Sequence, residues 1–61
     1  MTMTKKELQI AKEMCPNLEN ETTELLELML LEIRGRDWST LGKSTILKHD
    51  YIEYILIKRE R

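Results

Sequence analysis

Cys15 is the only cysteine among these 61 residues, and this narrows what the chain can fold into. A chain this short buries only about 60% of the surface it exposes when unfolded. Ordering it costs roughly 1.5 kcal/mol per residue, so little margin is left. Natural chains of this size usually add a disulfide, a metal or a second subunit. A lone cysteine closes off an internal disulfide and reads as a reducing, intracellular setting. Cys15 and His49 are the only soft metal ligands, whereas a closed zinc site needs about four. No metal and no cofactor is therefore expected. Oligomerisation, or docking on a larger protein, is the remaining source of extra stability.

Met1–Lys6 is polar and basic with no apolar run behind it, so no signal peptide is expected. The longest unbroken aliphatic run, Leu28–Leu31, is far below the roughly 20 residues of a membrane helix. The expectation is one soluble, cytoplasmic domain spanning residues 1–61, with no membrane partner. The net charge of −1 hides a split. Residues 1–33 hold three basic against seven acidic side chains, a balance of −4, and residues 34–61 hold seven against four, or +3. Such asymmetry hints at a directed surface, although solvated helix faces are the ordinary reading.

Thr4–Met14 is predicted to be the first helix. Thr4 followed by Glu7 fits a capping box; Leu8, Ala11 and Cys15 form a stripe, with Met14 beside it. Pro16 ends the segment, because the residue before proline is pushed out of the α region. Asn17–Asn20 reads as a connection with Leu18 tucked inward. Thr22–Arg34 is the second helix, with capping from Asn20, Thr22 or Thr23 and Glu24 near the positive end of its dipole. Gly35 then suits a left-handed C-terminal turn.

At 3.6 residues per turn, Leu25, Leu26, Met29, Leu30 and Ile33 fill one arc of about 140°, a normal core face. Leu28 and Leu31 fall opposite, among Glu24, Glu27, Glu32 and Arg34. One stray leucine is normal, but two on the polar side predict a second contact surface.

Asp37–Thr45 reads as a loop, with Trp38 and Leu41 closing one end of the core. Ile46–Arg59 is open between a helix and a hairpin turning at His49-Asp50. Its β-branched and aromatic content suits a strand, while Lys58-Arg59 suits a helix C-terminus. Either way it is apolar on more than one side. The fold expected is all-α, two or three short helices in a small antiparallel bundle, with two helices plus a C-terminal β-hairpin as the alternative. The expected core is Leu8, Ala11, Met14, Leu25, Leu26, Met29, Ile33, Trp38 and Ile55.

Signs of chemistry are weak. Gly42-Lys43-Ser44 resembles the end of a phosphate-binding loop, but Asp37 stands where the pattern needs its first glycine. His49-Asp50 with Ser39 and Ser44 has the ingredients of a hydrolytic triad without room for an oxyanion hole and cleft. Cys15 lies on an apolar stripe beside Glu13, the wrong surroundings for a reactive thiol. The chain is not expected to be an enzyme or to take a small-molecule substrate.

The leading expectation is a regulator or adaptor that inhibits or recruits a larger protein, or pairs with itself. Leu28 and Leu31 would be the anchors, with Tyr51, Tyr54 and Ile57 next and Glu24, Glu27 and Arg34 as the polar rim. One alternative is nucleic-acid binding through Lys43, Lys48, Lys58, Arg59 and Arg61, although Asp50, Glu53 and Glu60 interrupt that patch. Another is an acidic DNA mimic built from Glu19, Glu21, Glu24, Glu27 and Glu32.

Overall fold

The computed structural model describes residues 3–60. It is all-α: the described residues contain helices α1 (Lys5–Met14), α2 (Thr23–Arg34) and α3 (Lys43–Glu60), with 3-10 turns at Leu18–Asn20 and Trp38–Thr40. The hairpin alternative falls away, since the whole of 46–59 is helical.

The first two helices start where their caps dictate. Thr4 Oγ1 accepts from the Glu7 backbone N–H at 3.1 Å, and the Glu7 carboxylate accepts from Thr4 N–H at 3.1 Å. This reciprocal box satisfies two amides that a helix start leaves without partners. Thr22 caps α2 by accepting from Leu25 N–H at 3.2 Å. Gly35 does not take the expected left-handed turn: its φ is −77°. The helix tightens instead, with Gly35 N–H reaching the Leu31 and Glu32 carbonyls and Arg36 N–H reaching Ile33, a 3-10 closure that needs no positive φ.

α3 is the central element and packs against both α1 and α2. Eighteen residues at about 1.5 Å each make it about 27 Å long, enough to run alongside both neighbours. That position explains why its sequence is apolar on several sides. Tyr51, Ile52 and Ile55 are buried, and Leu47, Tyr54 and Leu56 pack at the margin. β-Branched residues cost a helix only a few tenths of a kcal/mol each, and burying them on two fronts outweighs that.

The core comprises Ala11, Leu18, Leu26, Leu30, Ile33, Tyr51, Ile52 and Ile55. Leu8 and Met29 pack against it. Three expected core residues lie outside: Met14, Leu25 and Trp38 are each more than 40% exposed. Met14 sits about 60° from Ala11 on the side away from Leu8 and Cys15, so the α1 seam passes it by. Leu25 sits about 100° from Leu26, beyond the Leu26–Leu30–Ile33 line that meets α3. Trp38 lies edge-on to the His49 ring, centroids 4.9 Å apart, covering it while remaining wet.

Two arginines tie α2 antiparallel to α3. Near one end, Arg34 Nε donates to His49 Nε2 at 3.1 Å and Nη2 donates to Glu53 at 2.8 Å. Near the other, Arg59 donates to Thr23 Oγ1 and to the Glu19 and Glu21 carbonyls at 2.7–3.0 Å. The second set clamps the end of α3 onto the connection between α1 and α2. Among the described residues, no buried side-chain polar atom lacks a partner.

Candidate interaction surface

α2 meets α3 through Leu26, Leu30 and Ile33, which are at most 7% exposed. Helical periodicity therefore turns Leu28 and Leu31 outward. They are 63% and 65% exposed, the most exposed large hydrophobic side chains among the described residues. Leu25, 41% exposed, extends the strip toward the start of the helix. Fully burying a leucine is worth about 1.5–3 kcal/mol. Covering the two-thirds-exposed pair would thus recover about 2–4 kcal/mol, a large quantity for a domain of this size.

The strip has an acidic border. Glu32 pairs with Arg36 one turn on, whereas Glu24 and Glu27 form no ion pair among the described residues. Both are exposed. Arg34, also expected in the rim, keeps a 47% exposed side chain while bonded to His49 and Glu53.

Of the α3 residues expected to join this surface, Tyr51 is withdrawn from it. Tyr51 is 1% exposed and belongs to the core, because it faces the α1–α2 connection from the middle of the central helix. Tyr54 is half-buried, and Ile57 is 45% exposed. α3 packs on the inner face of α2, opposite Leu28 and Leu31. The sequence pattern has no way to separate these groups, since both helices show surplus apolar positions. Only the one in the middle of the bundle hides most of them, Ile57 excepted.

Tyr51 carries a pH signature instead. Burial pushes its phenol up to about 12, with the neighbouring Glu19 carboxylate adding charge repulsion and a hydrogen bond. An unfolded tyrosine titrates near 10. The folded protein therefore holds this proton more tightly, and its stabilising effect is complete below pH of about 10 and lost as pH rises toward about 12. Urea denaturation across that window should show a loss on the order of 2 kcal/mol. Tyr51→Phe should flatten that part of the profile; an unchanged slope would contradict the placement.

The basic residues considered for nucleic acid are scattered. Lys43 lines a cleft with Glu7 and Asp50, Lys48 one with Glu32 and Arg36, and Lys58 and Arg59 one with Glu19. Arg59 is already committed to Thr23 and two carbonyls, and Arg61 lies outside the described residues. Of the acidic set, Glu19 faces Tyr51 and Glu32 faces Arg36.

Nor do the polar motifs assemble a catalytic arrangement. His49 is 6% exposed. Its Nε2 accepts from Arg34, which places the ring hydrogen on Nδ1, 3.2 Å from Asp50 Oδ1. Both nitrogens are thus occupied without Ser39 or Ser44. Ser39 donates to Asp37 instead, through its hydroxyl and its backbone N–H; these bonds hold the exposed Asp37 carboxyl below the usual carboxylate range. Gly42 and Lys43 simply open α3, where the Gly42 carbonyl receives the Thr45 and Ile46 amides. Among the described residues no three His, Cys, Asp or Glu side chains converge as a metal site, and no helix is long and apolar enough to cross a membrane. Comparison with known proteins returned no matching family model, and no curated protein or solved structure matched the chain significantly.

Proposed function

We propose that this protein is a small interaction module, a regulator or adaptor that works by occupancy. It would dock the outward face of α2 against a protein surface and so block or recruit what it covers. The reading rests on one observation. Leu28 and Leu31 stand two-thirds exposed on a helix whose opposite face already supplies the core. Those core contacts hold the helix ready, so docking would add little ordering cost. The carboxylates of Glu24 and Glu27, which form no ion pair among the described residues, would favour a surface that brings positive charge to the edge of an apolar contact.

A photo-crosslinking residue placed at position 28 or 31, in cells, tests this. Adducts of discrete mass are expected at both positions and not at exposed Gln9 on α1. In a binding assay with the captured protein, Leu28→Ala should weaken affinity about tenfold or more, equivalent to about 1.4 kcal/mol. Crosslinking at 28 and 31 no stronger than at position 9 would sink the proposal.

A further inference from the structure

We infer that the occupant of this strip is a second copy of the chain, docked α2 against α2 in antiparallel orientation about a two-fold axis. The inference rests on the docking reading above and adds the partner. A two-fold interface must be self-complementary, and α2 is so in both apolar and charged residues. Its two most exposed leucines sit near mid-helix, with exposed carboxylates at Glu24 and Glu27 before them, neither ion-paired among the described residues, and a half-exposed guanidinium at Arg34 after them.

The geometry follows from helical periodicity. Viewed from Leu28, residues Glu24, Glu27, Leu31 and Arg34 all lie on one side of the seam, at about 40° to 120°. In an antiparallel two-fold pair, residues on one side of the seam stay on that side in both copies. With the axis midway between Leu28 and Leu31, Leu28 lies beside Leu31 of the second copy. Arg34 then lies level with Leu25, between Glu24 and Glu27 of the second copy. Its Nε and Nη2 serve His49 and Glu53, leaving Nη1 for this contact. A parallel pair would instead set Glu24 level with Glu24 and Arg34 level with Arg34. Opposed helix dipoles favour the antiparallel choice as well. Gly35 comes level with Glu24 and offers no side chain to hold the backbones apart; a Cβ built on it meets only the Leu31 and Glu32 carbonyls.

Size sets the strength. One helix face about 18 Å long covers roughly half of the 800 Å² per partner of a standard interface. So small an interface is expected to be weak, with the copies largely dissociated at about 1 µM and below.

Sedimentation equilibrium of the unmodified chain, from about 5 µM to 1 mM at low salt, should show the mass rising to that of two chains. Glu24→Lys/Glu27→Lys should weaken the association about tenfold or more while the helical spectrum is unchanged. Disulfide trapping fixes the orientation. In a Cys15→Ser background, Leu28→Cys chains mixed with Leu31→Cys chains should cross-link several-fold faster than either alone. A monomer throughout the range overturns the inference, as does preferential linking of each cysteine variant to itself, or association indifferent to the lysine changes. If the chain is monomeric but crosslinkers at 28 and 31 still capture one other protein, self-pairing falls and the docking reading stands. If they capture nothing, both fall.

Discussion

Leu26→Ala is expected to remove most of the stability of this domain. Leu26 is 0% exposed and belongs to the buried core that α2 shares with α3. Deleting its isobutyl group leaves a cavity that neighbouring side chains fill only partly, at a cost of about 2–5 kcal/mol. A domain of 61 residues has about 3–9 kcal/mol in total, so the variant should be marginally folded or unfolded at 37 °C. Leu28→Ala, two positions along the same helix, should move stability by no more than about 0.5 kcal/mol, because its side chain is 63% exposed and alanine is the better helix former. Urea titrations followed by circular dichroism at about 1 µM, too dilute for the weak self-pairing proposed above, make the comparison. Equal costs at the two positions would mean that α2 is rotated from the orientation described, and the outward strip would go with it.

That contrast is legible in the sequence. The period of the apolar positions in α2 places Leu26 inside and Leu28 and Leu31 outside, and the structure agrees. The Thr4–Glu7 box marks the start of α1 for the same reason: the pattern is local, and the chemistry that makes it is local too. α3 resists this treatment. Isoleucine and tyrosine at its positions are compatible with a strand, and a helix flanked on two sides shows no single apolar face to detect. Only the positions of α1 and α2 decide that Tyr51 is interior while Ile57 is not. The arginines escape a local reading on similar grounds. In the sequence, Arg34 and Arg59 look like surface charge open to a partner or to phosphate. In the fold they join residues 15 to 40 positions apart, and no local pattern encodes such pairs. The candidate surface survives as two leucines and their acidic border because these depend on one helix alone.

Arg34→Met should cost about 2–3 kcal/mol, although the residue is half exposed, and the loss should trace to His49. The arginine Nε–H is the donor to a ring nitrogen in a residue that is 6% exposed. Removing that donor strands a buried acceptor, worth about 1–3 kcal/mol. The lost contact with Glu53 adds on the order of 1 kcal/mol or less, since both side chains are partly wet. A double-mutant cycle separates these contributions. His49→Phe keeps a ring beside Trp38 but has no acceptor to strand, so Arg34→Met should cost about 1–2 kcal/mol less in that background. Trp38 is the only tryptophan and lies 4.9 Å from the imidazole, so its fluorescence reports this corner directly while circular dichroism reports the helices. The corner also bears on docking, because Arg34 fixes the last turn of α2 to α3 three residues beyond Leu31. With it loosened, the strip would be presented by a helix free to fray from that end, and self-association should weaken even at concentrations where the monomer remains folded. Additive costs in the cycle would mean that the Arg34–His49 bond contributes nothing of its own and that the arginine acts through Glu53 alone.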